Sequence, residues 1–245
     1  MPSYVILGAS GGIGSALCER VAAAGAQLVL GGRDPRRLED LARATGGLSF
    51  PLDACIPAQV DACVQAAVER YGRLDGIVNC VGSLLLKSAH LTTDDEWAST
   101  IATNLTSAFA AVRAGARAML RSGGSIVLVS SAAARIGLAN HEAIAAAKSG
   151  VVGLTLAAAA SYAPRGIRVN CVAPGLVRTS MTARLTSNET SLKASTAMHA
   201  LGRIGEPDEV ASALAWLLDP AQAWVTGQVL GVDGGLGSVR ARATA

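Results

Sequence analysis

Charge is scarce in this sequence of 245 residues. Only 16% of positions are charged, and 21 basic residues against 18 acidic ones leave a net charge of +3. So thin and balanced a distribution supplies no basic patch for nucleic acid, and nucleic-acid partners are not expected. Five cysteines (Cys18, Cys55, Cys63, Cys80, Cys171) make an odd number without CxxC or metal-ligand spacing. No disulfide framework and no metal site is therefore expected; the thiols read as small buried hydrophobes in a reducing, cytoplasmic setting. The stretch Met1 to Cys18 has no cationic leader, and the apolar run Ser149 to Pro164 falls short of the ~20 residues a bilayer requires. A signal peptide and a membrane partner are thus not expected. No linker rich in Pro, Gly or Ser, no repeat and no compositional break divides the chain, so 1–245 reads as one domain.

Against these absences, 51% of the residues are hydrophobic, and the pattern alternates. Apolar runs Tyr4–Leu7, Gln27–Leu30, Leu48–Leu52, Gly76–Asn79, Ser125–Val129, Ile167–Cys171 and Gln228–Val232 read as strands. Helical stretches separate them, including Ser15–Ala24, a helix opened by Asp34-Pro35, Pro57–Arg70, about Ala98–Arg121, about Asn140–Tyr162 and Pro207–Leu218. Strands alternating with helices imply parallel pairing, and continuous apolar strands imply a sheet covered on both faces. The expected fold is α/β: a single doubly wound Rossmann domain with a seven-stranded parallel sheet. Its ligand crevice should lie at the carboxyl ends of the strands.

The turn after the first strand, Gly8-Ala-Ser-Gly-Gly-Ile-Gly14, carries four glycines and leads into a helix. Glycines let backbone approach a pyrophosphate while the N–H groups of the following helix face the anion. Gly8, Ser10, Gly11, Gly12, Ile13 and Gly14 are therefore candidate cofactor contacts; a bare structural turn is the alternative. At the end of the second strand a carboxylate would bind the ribose hydroxyls of NAD, whereas a cation would accept the 2′-phosphate of NADP. This chain has Gly31-Gly32-Arg33 there. Arg33 points to NADP (NADPH) over NAD.

From here the chain resembles the short-chain dehydrogenase/reductase family along nearly its whole length. The glycine turn matches the family's motif, although Leu7 stands where Thr is usual. Leu52-Asp53-Ala54 resembles the segment that contacts adenine. Leu74 to Gly82, including Asn79 and Gly82, is similar to the family's strand-4 signature, with Cys80 and Val81 as departures. Pro174-Gly175-Leu-Val177-Arg-Thr179 resembles the loop that holds the nicotinamide carboxamide. Gly202 to Val210 and Val232 to Gly235 complete the pattern. Asn104, Ser131 and Lys148 fall where the family's catalytic Asn, Ser and Lys fall. The resemblance also implies a homotetramer assembled through the two long helices and the last strand.

The family's Tyr is missing. Four residues before Lys148 and thirteen after Ser131, both counts land on Ile144. Hydride delivered to a carbonyl carbon leaves an oxyanion that needs a proton, and general acid–base catalysis contributes typically 10²–10⁴-fold. An isoleucine supplies none of it. Tyr4 and Tyr71 belong to the far end of the sheet, and Tyr162 lies roughly 21 Å beyond Lys148 along one helix. His141 falls within roughly 60° of Ile144 and Lys148 around the helix axis, so it is the substitute acid/base candidate. Glu142 would point about 100° away, and Asn140 reads as the helix N-cap.

The expected function is NADP(H)-dependent interconversion of a carbonyl and an alcohol on a small-molecule substrate. Ser131 would polarise the substrate oxygen, Lys148 would hold the nicotinamide ribose and Asn104 would support a relay water, with His141 moving the proton. The alternative is a catalytically inactive NADP(H)-binding regulatory or structural subunit, or one that completes a heteromeric enzyme. Residues 180–200 are expected to cover the substrate, and they contain no Trp, Tyr or Phe, which weighs against a large aromatic ligand.

Overall fold

The computed structural model describes residues 1–239. Seven strands, β1 (Ser3–Leu7), β2 (Gln27–Gly32), β3 (Leu48–Pro51), β4 (Gly76–Asn79), β5 (Gly124–Val129), β6 (Ile167–Pro174) and β7 (Val229–Val232), form one sheet in the order β3-β2-β1-β4-β5-β6-β7. Every pairing is parallel, as the alternation of strands and helices requires. Val5, Ile6 and Leu7 of β1 and Ile126, Val127 and Leu128 of β5 are fully buried, the signature of a sheet covered on both faces.

Two cores flank that sheet. On one side α3 (Pro57–Tyr71), α5 (Ser107–Met119) and α6 (Glu142–Tyr162) bury Val60, Val64, Ala111, Val151 and Ala158. On the other, α1 (Gly12–Ala23), α2 (Pro35–Thr45) and α9 (Pro207–Leu218) bury Leu17, Leu38, Leu214 and Leu217. The small residues of α5, among them Ala110, Ala111, Ala114 and Gly115, allow close approach to the sheet. A side-chain carbon at Gly115 would lie 2.5 Å from the Ile77 side chain.

Several boundaries differ from the sequence expectation for identifiable reasons. β2 continues through Gly31 and Gly32, because both remain paired with β3 in parallel register. β6 continues to Pro174, held by the ladder to β7 as far as Val232. The first helix begins at Gly12 rather than Ser15. The expected helix 98–121 starts earlier, as α4 (Asp94–Ile101), behind a capping box of Thr93 and Glu96. It passes into α5 through a π turn, Ala102–Thr106. Asn140 is not the cap of α6: it sits at φ 63°, a left-handed conformation Asn tolerates, and His141 occupies the N-cap position. Asp34 does cap α2, accepting from the Arg37 N–H at 3.2 Å, with Pro35 following.

By length and composition, Glu142–Arg165 would span a bilayer. In the fold this helix is a core element whose Val151, Ala158 and Ala159 pack in the sheet's core, and it carries a buried lysine. All five cysteines are free thiols, and among the described residues no His, Cys, Asp and Glu cluster could hold a metal ion.

Candidate active site

At the carboxyl end of β1 the chain turns through Gly8 at φ 73°, where a side-chain carbon would come within 2.9 Å of the Cys80–Val81 peptide. Gly14 has no room for one either, since it would meet the Gly8 carbonyl oxygen at 2.2 Å. α1 starts at this contact with Gly11 as a cap that offers no side-chain hydrogen bond. The N–H groups of its first turn therefore lack helical partners and carry the positive end of the helix dipole. Gly11, Gly12, Ile13 and Gly14 line one end of a cavity of about 320 Å³. Across it, Thr179 approaches Gly12 so closely that a side-chain carbon there would lie 2.9 Å from the Thr179 methyl. Pro174, Gly175 and Val177 line the same wall.

The same cavity gathers Ser131, His141, Ile144 and Lys148. Ser131, just past β5, accepts a hydrogen bond from the Ala133 N–H at 3.2 Å, which leaves its own O–H free to donate. Lys148 of α6 is 7% exposed, and its Nζ donates to the Val129 carbonyl at 2.8 Å. Burial away from water draws its pKa down from 10.5 to about 8. Beside it, burial pushes the Cys80 thiol up to about 12 against the pull of the ammonium. Ser130 donates to the Lys148 carbonyl at 2.8 Å, locking α6 to the end of β5.

Asn104 lies on the π turn, buried, with both amide hydrogens committed to the Thr100 carbonyl (3.0 Å) and Ser83 Oγ (2.9 Å). Its Oδ1 accepts from the Ser83 N–H at 3.1 Å. One lone pair is all its side chain retains for a relay; its clear action is to fix the loop after β4. Asn79 is likewise held by internal hydrogen bonds. Its amide donates to Ser107 Oγ at 3.1 Å and accepts from the Val81 N–H at 3.2 Å, so it shapes the wall at Val81 and Gly82 without lining the cavity. Gly8, Ser10, Arg33, Asp53 and Ala54 also lie outside the cavity lining, towards the carboxyl ends of β1–β3. Arg33 is exposed there, and Asp53 accepts from the Cys55 N–H at 2.9 Å.

Ile144, 3% exposed, forms cavity wall one turn before Lys148. Among the described residues no tyrosine lines the cavity: Tyr4 is buried in β1, Tyr71 donates to the Leu28 carbonyl at 3.1 Å, and Tyr162 ends α6. His141 Nδ1 lies 2.7 Å from the Ala139 carbonyl, which assigns the hydrogen to Nδ1 and leaves Nε2 as an acceptor. Glu142 accepts from the Ala89 N–H at 3.3 Å and is not part of the lining.

Residues 1–239 thus combine a doubly wound sheet, a glycine-rich helix start and a Ser–Lys pair on a single cavity. Residues 8–237 match the family model described as enoyl-(acyl carrier protein) reductase. The chain is 35% identical over 239 residues to the 3-oxoacyl-(acyl-carrier-protein) reductase of Vibrio cholerae, covering 95% of this chain and 96% of the relative.

The chain belongs to the short-chain dehydrogenase/reductase family.

A second relative, the 2,5-dichloro-2,5-cyclohexadiene-1,4-diol dehydrogenase of Sphingobium indicum, is 35% identical over 244 residues, with 97% of each chain covered. A crystal structure of an actinorhodin polyketide ketoreductase variant with NADPH superimposes at a TM-score of 0.91 with 32% identity, covering 97% of this chain and 98% of that one. The protein is therefore an oxidoreductase of the short-chain dehydrogenase/reductase type.

Sequence reasoning missed two parts of this short-chain dehydrogenase/reductase site. One is the set of apolar side chains after β4 and β5, such as Leu84, Leu86 and Leu138, which line the cavity but sit in irregular segments without a readable period. The other is His199, also in the lining. It was legible only as a lone ring in a stretch of Ala, Ser and Thr.

Proposed function

We propose that this short-chain dehydrogenase/reductase interconverts a carbonyl and an alcohol with NADP(H), in a site where Ile144 takes the place of the phenolic proton donor. The observation that carries the reading is one cavity that joins an uncapped, glycine-rich helix start to Ser131 and Lys148. That arrangement fits a dinucleotide: the N–H groups of Gly12, Ile13 and Gly14 would face its pyrophosphate. Arg33 would meet the 2′-phosphate, with Ser10, Asp53 and Ala54 at the adenosine end. Lys148 would hold the nicotinamide ribose, with Gly82 leaving room beside it, and Pro174, Gly175, Val177 and Thr179 would hold the carboxamide. When bound, the cofactor supplies or accepts hydride.

The chain's own residues do the rest. The Ser131 O–H donates to the substrate oxygen and orients the carbonyl. Asn104 keeps the loop after β4 in place around Gly82. His141 exchanges the proton: with its hydrogen on Nδ1, Nε2 takes a proton from an alcohol, and it gives one to a carbonyl only after becoming doubly protonated. The mostly apolar wall of Ile144, Leu84, Leu86, Leu138 and Met181 favours an apolar small-molecule substrate.

Ile144 itself favours a second reading, an inactive NADP(H)-binding regulatory or structural subunit, alone or within a heteromer. The two part in one experiment. Purified protein is titrated with NADPH by fluorescence, then assayed on a panel of ketones, aldehydes and acyl thioesters beside Ile144→Tyr. NADPH binding with turnover raised by Ile144→Tyr supports the enzyme; binding without turnover in either protein supports the subunit. Assembly as a homotetramer belongs to the same proposal, supported by exposed Trp97 and Phe109 on α4 and α5, Leu156 on α6, and the open edge of β7. Light scattering after gel filtration tests it.

A further inference from the structure

His199 follows the last residue of α8 (Glu189–Met198), is 3% exposed, and lies between two cavities: the candidate active site and a neighbouring one of about 520 Å³ under the C-terminal turn. Both ring nitrogens are engaged. The Leu176 N–H donates to Nε2 at 3.1 Å, so Nε2 carries no hydrogen, and Nδ1–H donates to the Ser195 carbonyl at 2.7 Å. One imidazole therefore bonds at once to the loop 174–179 and to the helix that walls the substrate side.

Space around the ring has been cleared for it. A side-chain carbon at Gly175 would sit 2.6 Å from His199 Nε2. Gly175 is not in the left-handed region, so no turn geometry demands glycine there; the imidazole, together with the Asp233 backbone 3.1 Å away, does. Among the described residues α8 has no other hydrogen bond to the loop. The Thr182 hydroxyl bonds to Val177 and Thr179, but it secures the segment ahead of α7 (Ala183–Thr186) instead.

We propose that His199 is a positioning residue that couples cofactor binding at the loop 174–179 to the placement of α8 over the substrate. The inference rests on the cofactor reading above and adds to it a mechanical link. When the loop settles against a nicotinamide, the Leu176 N–H is fixed, and through the ring so is α8. By linkage, fixing α8 favours the loop conformation that binds cofactor to the same degree.

Trypsin reads this without a known substrate, because Arg184 and Lys193 are exposed on α7 and α8. The probe is NADP⁺ at saturation, its Kd measured beforehand for each protein. NADP⁺ is expected to slow cleavage at Lys193 at least tenfold in the parent. In His199→Asn, which keeps a donor for Ser195 but no acceptor for Leu176, and in His199→Gln, which reverses that loss, the ratio should fall below threefold. A merely structural role would raise cleavage with and without NADP⁺ alike and leave the ratio unchanged; that result overturns the proposal. So does NADP⁺ that binds the parent without protecting it. If the parent binds no NADP⁺, the cofactor reading fails, and this inference with it. Should the variants unfold, hydrogen exchange in residues 189–199 of the parent decides: at least fivefold slowing with NADP⁺ is expected, and no slowing refutes the coupling.

Discussion

Lys148 makes the fold itself pH-dependent, with a sign and size that follow from its burial. The side chain is 7% exposed, and its pKa falls from 10.5 to about 8. A base whose folded pKa lies below its unfolded value binds fewer protons when folded, so unfolding free energy rises with pH between the two values. Below about pH 8 both states hold the proton and the full penalty applies, about 3 kcal/mol for a fall from 10.5 to about 8. By pH 9.5 most unfolded chains still carry the charge but the folded ones have lost it, which recovers about 2 kcal/mol. The assay is urea unfolding of the cofactor-free protein and of Lys148→Met at pH 7 and 9.5. Only the difference between them is informative, because Cys63, Cys80 and Cys171, raised by burial to about 12, 12 and 11, lower stability in both proteins above about pH 9. Lys148→Met forfeits one hydrogen bond to Val129, about 1 kcal/mol, and should still be the more stable protein at pH 7 by about 2 kcal/mol. That advantage should vanish by pH 9.5. A difference that stays flat, or grows with pH, refutes the burial argument.

The remaining expectations are simpler. Gly14→Ala should destabilise by about 2–3 kcal/mol in thermal unfolding, because the obstacle is the Gly8 backbone and cannot move aside. Arg33→Ala should raise the Kd of NADP⁺ about tenfold or more in titration calorimetry, with the Kd of NAD⁺ unchanged. Ile144→Tyr should raise kcat for carbonyl reduction by about 10²–10⁴-fold while the Kd of NADPH moves less than threefold.

Much of this was legible beforehand where a local rule operates alone. The seven strands follow from apolar runs, and the α2 start from Asp34-Pro35. The glycine turn follows from spacing, and the meeting of Ser131, Ile144 and Lys148 from the resemblance to the family. What escaped depends on partners remote in sequence. Asn140 carries a good capping residue's chemistry, but its carbonyl accepts from the Lys87 N–H at 2.8 Å and its side chain bonds to Ser88. Those bonds hold it outside the helix, and His141 inherits the cap. Asn79 and Asn104 are polar residues in the right places for ligand contact, yet the structure spends half of the first side chain's hydrogen-bonding capacity and three quarters of the second's internally. Only the folded chain reveals that a side chain at Gly175 would collide with a ring twenty-four residues later.

The π turn at Ala102–Thr106 divides the long helix into two phases. One additional residue in a turn rotates everything after it by about 100° relative to a regular helix. Ahead of the turn, the phase of α4 is set by its capping box and by Thr100, whose carbonyl receives Asn104; behind it, the phase of α5 is set by Ala108, Ala111 and Gly115 against the sheet. A deletion of one residue here would force both halves onto a common clock, and either the small-residue seam or the loop clamp would face the wrong way.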